Sequence, residues 1–171
     1  MKLGIHRSGL VAAAAATSAV VVGLVVWLAW PSAPSIPGAE RVRQYTNVRA
    51  CMLTGPDGLA NSVAAAAWAG LQGASSSSKA MVSYLPVPSP ATKATAVPYV
   101  ASLVQLQCTV IVAVGQAQVA AATSQVAKYG HVHFIVITQR PAGSGVIRVP
   151  SAPAAQVHQA VQAAVSAAVS G

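Results

Sequence analysis

Acidic residues are almost absent from this sequence. Its 171 residues contain two acids, Glu40 and Asp57, against ten Lys and Arg, which gives a formal net charge of +8. Paired-carboxylate catalysis and carboxylate-rich metal sites need several acids close together. Only Asp57 lies well inside the region that is expected to fold. Both kinds of site are therefore excluded within one chain, and we expect no bound metal.

Charged and aromatic residues are also scarce, at 7% and 5% of the chain. The positive side chains are scattered, without a run of Lys or Arg. Nucleic-acid binding usually combines a basic patch with aromatic stacking platforms, so we expect no nucleic-acid partner. A thinly basic exported domain close to anionic lipid is the simpler interpretation.

Motifs of catalysis and cofactor binding are missing as well. No Gly-x-Ser-x-Gly elbow stands between a predicted strand and helix. The turn after Gly115 lacks the further glycines of a dinucleotide fingerprint, and no phosphate-binding loop is recognisable. The sequence therefore predicts a protein without cofactor that is not an enzyme.

A long apolar segment is present at the amino terminus. Residues 8–30 contain no charged residue, and Lys2, His6 and Arg7 precede them. The segment is about as long as a bilayer core is thick, whereas the apolar core of a signal peptide is usually about 7–15 residues. We predict an uncleaved membrane anchor over residues 1–30, with a cleaved signal peptide as the alternative.

The rest of the chain divides into a linker and a domain. Residues 31–46 are rich in Pro and Ser and form the predicted linker. Residues 47–171 form a single predicted domain. A basic start followed by an apolar run is the export pattern, so we place this domain on the extracytoplasmic side of the cell membrane, or outside the cell if the segment is cleaved.

Apolar strand-like runs alternate with helix-like runs along this domain. The predicted strands span residues 48–54, 81–85, 109–114, 133–138 and, more weakly, 146–149. The predicted helices span residues 61–73, 95–107, 116–129 and 154–170. This alternation favours an α/β three-layer sandwich, with a doubly wound parallel sheet of four or five strands in the flavodoxin-like order 2-1-3-4-5.

Ligands of such sheets bind at the carboxyl ends of the strands, beside the point where the strand order reverses. Here that point lies at the loops 55–62 and 115–118. Asp57 belongs to Gly-Pro-Asp-Gly, a good turn sequence, and a turn is its favoured role, but it is also the domain's one carboxylate. The candidate ligand-binding residues are Thr54, Asp57, Asn61, Ser62 and Gln116.

Two other sets of residues have simpler interpretations. His131 and His133 point to one side of a strand start, which lies opposite the ligand edge, so we expect an exposed pair rather than a metal site. Trp68 is expected to pack against the sheet, with Gly70 allowing a close approach.

Cys51 and Cys108 are compatible with one disulfide or with two buried thiols. Export favours the disulfide. If the first and third strands end together at Gly55 and Gly115, however, the two cysteines are offset by three residues, about 10 Å along the strands. A disulfide needs Cα atoms within about 7 Å. The sequence therefore favours two unpaired, largely buried thiols.

Several segments, in order along residues 48–138, resemble one protein family. They are Ala50-Cys51-Met52-Leu53-Thr54, Ala67-Trp68-Ala69-Gly70-Leu71, Ser83-Tyr84-Leu85-Pro86, residues 98–104, residues 107–115, and residues 119–137. The family is the basic membrane protein type of substrate-binding protein for ABC transporters. The resemblance covers its amino-terminal lobe and implies the lobe of a type I periplasmic binding protein.

This resemblance implies binding of nucleosides or another small solute outside the cell, in uptake through an ABC permease. The family commonly has Thr-Asp after its first strand, where this chain has Thr54-Gly55. It commonly starts its first helix with Ser-Phe-Asn, the Phe stacking on the base, where this chain has Ser62-Val63-Ala64. We expect a membrane-tethered domain of this type, with a permease or a second lobe from another chain as partner. The alternative is a ligand-less interaction or sensory module that kept the fold.

Overall fold

The computed structural model of the protein describes residues 46–151 and 153–170. The predicted anchor, and all but the last residue of the predicted linker, lie outside the described residues. The strands are β1 (Arg49–Thr54), β2 (Met81–Pro86), β3 (Val110–Val114), β4 (His133–Ile137) and β5 (Val146–Val149). The helices are α1 (Ser62–Ser78), α2 (Lys93–Gln105), α3 (Gln116–Gln125) and α4 (Ala154–Ser170). Within these ranges, no helix has both the length and the apolar character to cross a membrane.

The five strands form one parallel sheet in the order β2-β1-β3-β4-β5. This confirms the predicted α/β class, the strand order and the fifth strand. Leu53 of β1 pairs with Ala113 of β3, so Gly55 and Gly115 follow the two strands at the same height. The strand order reverses between β1 and β3, as the sequence predicts.

Helices cover both faces of the sheet. Alternate residues of the central strands, such as Met52 and Val112, belong to a core cluster with buried residues of α1 and α4. Their neighbours, such as Leu53 and Ile111, belong to a second cluster with buried residues of α2 and α3. Strands that are buried on both sides need continuous apolar runs, which explains why the sequence pattern identified them.

Local caps explain where two helices begin. The Asn61 side chain accepts hydrogen bonds from the first turn of α1. Thr92 caps α2 reciprocally with Thr95, so α2 begins two residues before its predicted start. Pro98 consequently lies inside α2 rather than in its first turn. Such caps satisfy N–H groups that have no partner within the helix, and they thereby fix the residue at which the helix begins.

Trp68 and the two histidines lie where the sequence predicts them. Trp68 is partly buried against the core cluster of α1 and α4, and its ring meets Tyr84 edge to face at 5.4 Å between centroids. His131 and His133 are both exposed, at the amino-terminal end of β4. They therefore lie at the edge of the sheet opposite to the carboxyl ends of the strands.

The prediction of two unpaired thiols is wrong, because Cys51 and Cys108 form a disulfide with a Cα–Cα distance of 5.8 Å. The predicted register is correct, but β3 begins only at Val110. Gln107 has a positive φ of 61°, and Cys108 N–H bonds back to the Leu103 carbonyl at 3.1 Å. Cys108 thus lies in the connection between α2 and β3, so the offset of about 10 Å expected for two residues within strands does not apply to it.

Candidate ligand-binding cleft

A cleft of about 680 Å³ opens at the carboxyl-terminal edge of the sheet. Its walls come from the loops that follow β1, β3 and β4, together with the start of α1, one side of α3 and Ser151 after β5. The polar side chains that line it are those of Asp57, Asn61, Gln116, Thr123, Thr138, Gln139, Arg140 and Ser151. The cleft therefore lies at the strand-order reversal, where parallel α/β sheets bind their ligands.

The first wall is a tight turn. Gly58 N–H donates to the Gly55 carbonyl at 3.0 Å, which closes the predicted turn around Pro56 and Asp57. A short 3-10 helix, Gly58–Ala60, follows, and Ala60 N–H donates to the Asp57 carbonyl at 3.0 Å. The backbone of Asp57 thus builds the turn, and the same residue lines the cleft.

Asn61 has a structural role at the same wall. Its Oδ1 accepts hydrogen bonds from the N–H groups of Val63 at 3.0 Å and Ala64 at 3.2 Å. The carbonyl oxygen of the Asn61 amide is therefore used by the cap, and its Nδ2 is the group that remains to donate to a ligand.

The structure brings three of the five predicted site residues, Asp57, Asn61 and Gln116, to the cleft. Thr54 is fully buried at the end of β1, and its Oγ1 has no hydrogen-bond partner within the described residues. Ser62 is exposed and lies outside the cleft lining. Binding by any of these residues stays a prediction.

The second wall begins at Gly115, which has a φ of 106° and immediately precedes α3. A Cβ at this position would lie 2.5 Å from Oε1 of Gln118. Gln118 is 2% exposed, and its Nε2 would lie 3.9 Å from a Cβ at Gly55. The Gln118 amide thus lies against the two glycines of the cleft, and its Nε2 has no hydrogen-bond partner in the described part of the chain.

Gln118 lies at the end of the predicted loop 115–118 but was not selected as a site residue, because an Ala-rich helix with alternating Gln gives little sign of which side faces the sheet. Position offers the one usable signal. The third residue of a helix that follows a central strand directly tends to face back over the strand end.

The third wall is the segment 138–143, which the sequence analysis missed. Arg140 N–H donates to Oγ1 of Thr138 at 3.1 Å, which fixes the start of this segment. Gly143 approaches Thr123 of α3, with 3.6 Å between a Cβ at Gly143 and Cγ2 of Thr123. All carboxyl ends of a parallel sheet share one edge, so a cation directly after β4 could have been recognised as a cleft residue.

The domain is basic, and the described lining of the cleft contains no aromatic residue. Residues 46–171 contain six Lys and Arg side chains and one carboxylate, Asp57, a formal excess of five positive charges. Among the described lining residues, Arg140 and Asp57 are the charged ones and none is aromatic. The described residues also contain no group of three or more His, Cys, Asp or Glu side chains placed to hold a metal ion.

Comparison with known proteins reveals a likeness in fold. No family model matches the sequence, and no curated protein matches it. A solved structure that the chain resembles is the crystal structure of a "putative lipoprotein" (fragment) from Peptoclostridium difficile 630. The TM-score is 0.57 at 15% sequence identity, and the match covers 70% of this chain and 98% of the other. An identity this low shows a shared fold alone.

Proposed function

We propose that this protein is a membrane-tethered, extracytoplasmic domain of the substrate-binding type, which holds a small polar solute in the cleft beside Asp57, Asn61 and Gln116. The observation that carries the proposal is the cleft itself. Its volume of about 680 Å³ falls in the range of about 300–1,000 Å³ that is usual for small-molecule sites.

The chemistry of the lining supports a polar ligand. Asp57 offers acceptors, Arg140 offers donors, and Asn61 keeps its Nδ2 as a donor. Apolar side chains such as Val63, Val114 and Ile137 line the remainder. A few convergent polar groups in a largely apolar cleft are the usual composition of a specific solute site.

The disulfide supports the extracytoplasmic location. Stable disulfides persist in oxidising compartments and are rare in the reducing cytosol. Cys51 and Cys108 are 0% and 2% exposed, which fits a structural role better than a redox-active one. The long uncharged stretch at residues 8–30 supports attachment of this extracytoplasmic domain to the membrane. The lipoprotein name of the structural neighbour is compatible with this location.

The resemblance to the basic membrane protein family supports nucleosides as the first ligands to test and an ABC permease as the partner. The described cleft lining has no aromatic ring to stack on a base. We therefore expect a single copy to bind nucleosides weakly, with a second lobe from another chain completing the enclosure.

The test is a binding survey on the full chain in detergent micelles. Thermal shift and calorimetry would be run with nucleosides, sugars, amino acids and small organic acids. The variant Ala120→Phe places a ring in the cleft, because Ala120 of α3 lines it. Ser124→Phe is the matched control, since Ser124 lies one turn further along α3, is exposed and lies outside the lining.

We expect at least one solute to bind to the unaltered chain and to the Ser124→Phe variant, and to lose most of its affinity in the Ala120→Phe variant. If no solute of the survey binds, or if Ala120→Phe binds as well as the control, the cleft is not a solute site.

A further inference from the structure

We infer that the amino-terminal edge of the sheet is a docking face for a membrane surface that contains anionic lipid. The docking face comprises Arg49, Lys79, Leu106, Lys128 and Tyr129. It lies at the edge opposite to the cleft, so a docked domain would present the cleft to the solution. The inference rests on the membrane tether of the proposed function and does not depend on which solute the cleft binds.

The chain enters the described domain at this edge. Thr46 is the first described residue, and its N–H donates to the Lys79 carbonyl at 2.9 Å. Residues 31–45 separate the predicted anchor from Thr46, and they span at most about 50 Å when fully extended. Because so short a tether gives a high effective concentration of lipid surface, weak contacts are enough to dock the domain.

Basic side chains lie at the starts of the strands. Arg49 opens β1, and Lys79 precedes β2 by two residues. Lys128 lies between α3 and β4, and its ammonium group is 5.2 Å from the centre of the Tyr129 ring. Lys79 and Lys128 are exposed, and Arg49 is half-buried. Parallel strands all start at one edge, so three of the six Lys and Arg of residues 46–171 belong to the docking face.

No carboxylate side chain opposes these cations. Asp57 is the one acidic residue of residues 46–171, and it lines the cleft at the other edge of the sheet. A surface of anionic lipid attracts a basic patch of this kind, and each Lys or Arg close to the headgroups strengthens binding by about fivefold. The separation of charge within the domain therefore favours this edge as the one that faces lipid.

Two of the cations also have a structural role. The Lys79 ammonium donates to the Ser76 carbonyl at 3.0 Å, and Nη1 of Arg49 donates to the Leu106 carbonyl at 3.0 Å. Cations are favoured beside the carboxyl ends of helices, where these carbonyls lie. An ammonium group has three N–H donors and a guanidinium has five, so such a bond leaves donors for lipid phosphates.

Leu106 adds an apolar contact to the docking face. It is 52% exposed, the largest value among the big hydrophobic side chains of the described residues. It follows α2, and its bond from Arg49 places it beside the start of β1. Surfaces that bind at a membrane interface combine basic side chains with apolar or amphipathic ones that enter the headgroup region. Leu106 and Tyr129 supply the second component here.

The experiment measures which edge of the sheet approaches lipid, with the ¹⁵N-labelled full chain reconstituted in nanodiscs. Discs of phosphatidylcholine are compared with discs that contain about 30% phosphatidylglycerol, both doped with a lipid whose headgroup carries gadolinium. The gadolinium accelerates the relaxation of nearby amide protons. In anionic discs we expect an enhancement at Lys79, Leu106 and His131 that is at least about threefold larger than at Gly58 and Gln116, beside the cleft. Neutral discs are expected to lose most of this difference.

Two double variants test the charges. Lys79→Gln with Lys128→Gln is expected to reduce the enhancement at Leu106 in anionic discs by at least about threefold, because two of the three cations of the face are removed. Lys93→Gln with Arg148→Gln is the matched control, with the same change of net charge at two exposed residues outside the face. We expect the control to change the enhancement by less than about 1.5-fold, since distant exposed charges are screened.

A second pair of variants tests the apolar contact. Leu106→Ser is expected to reduce the enhancement at His131 in anionic discs by about twofold or more, because it removes apolar surface that would otherwise enter the headgroup region. Ile147→Ser is the matched control, since Ile147 is 40% exposed and lies in β5, outside the docking face. We expect it to leave the enhancement unchanged. Dispersed amide spectra show that each variant is folded.

The inference is overturned if both edges relax equally in anionic discs, if neutral discs give the same difference, or if the two double variants lose the enhancement equally. Resonances of the docking face that shift with the number of chains per disc would show that it binds a second copy, which also overturns the inference. A chain that copurifies with the discs without any difference between the edges contradicts the docking face alone. A chain that does not copurify with the discs contradicts the membrane tether of the proposed function, and the docking face with it.

Discussion

Gly70 of α1 lies directly against the backbone of His158 in α4. A Cβ at Gly70 would be 2.6 Å from the His158 carbonyl oxygen and 3.0 Å from Cβ of Val161. Backbone atoms cannot move aside as a flexible side chain can, so the spacing of these two helices depends on this glycine. The Ala- and Val-rich sequence builds this side of the core by bringing helices close together, since it has few large side chains to fill a wider gap.

We expect Gly70→Ala to lower the free energy of unfolding by about 1–3 kcal/mol, the usual cost of overpacking a filled core. Gly73→Ala is the matched control. A Cβ there would meet the Gln162 side chain, whose amide end can rotate away. Urea unfolding of both variants measures the difference. Equal stability of the two would show that α1 and α4 can separate at little cost.

Gly115→Ala is expected to destabilise the domain by about 1–3 kcal/mol, because the backbone conformation of Gly115 is almost restricted to glycine. The added methyl group would also collide with Gln118. Gly130→Ala is the control, since a Cβ at Gly130 has nothing within 4 Å and its φ is not in the positive region. Urea unfolding gives the comparison, and a neutral Gly115→Ala variant would contradict the geometry at the start of α3.

Replacement of both Cys51 and Cys108 by Ala is expected to lower the unfolding free energy by about 2–4 kcal/mol, because the disulfide restricts the unfolded chain. The cysteines are 57 residues apart, so the closed loop is long. Urea unfolding under non-reducing conditions measures the effect. Mass spectrometry of the unfolded, alkylated, non-reduced protein checks the linkage, and two alkylated cysteines would show that the bond is absent.

The full chain on its own is expected to bind adenosine, guanosine and inosine with dissociation constants weaker than about micromolar, because a cleft that no second lobe closes buries little of a base to offset the entropy of association. Isothermal titration calorimetry measures this directly. Micromolar or tighter binding would show that stacking is dispensable, or that the chain encloses the ligand by pairing with a second copy.

Residues 1–30 are expected to stay attached and to leave the domain outside the cell. The apolar stretch is longer than the usual signal core, and no good cleavage site follows it. Protease added to intact cells should degrade the domain and leave an amino-terminal membrane fragment. A soluble mature protein that begins near Ile36 would contradict the anchor.

Much of the fold could be predicted because the three central strands, β1, β3 and β4, are buried on both faces. Runs such as Val110–Val114 are apolar at every position, which identifies them as buried strands. Glycines mark the ends of β1 and β3 at the same height in the sheet. The prediction failed at Cys108, where the register was extended beyond the strand into a connection that reverses at Gln107. The periodicity of a sequence describes regular elements and does not describe the path of the chain between them.

The candidate site was predicted less completely. Asp57, Asn61 and Gln116 were identified because they belong to the two loops at the strand-order reversal. Arg140 was missed because it follows β4, whereas the prediction considered only the loops after β1 and β3, between which the strand order reverses. Gln118 belongs to the predicted loop 115–118 but was not selected, because its burial against Gly55 and Gly115 is a tertiary contact that the sequence pattern indicates only weakly.

Three of the four connections between consecutive strands contain a helix, whereas the described connection from β4 to β5 contains none. Residues 139–141 at its start are exposed, yet they form a wall of the cleft. Lengthening an exposed loop costs little, about 0.6 kcal/mol for each doubling of its length. Insertions or grafted segments at these three positions would therefore reshape one side of the cleft without repacking either core cluster. Divergence among homologues, and the engineering of new ligand preferences, would both be concentrated in this connection.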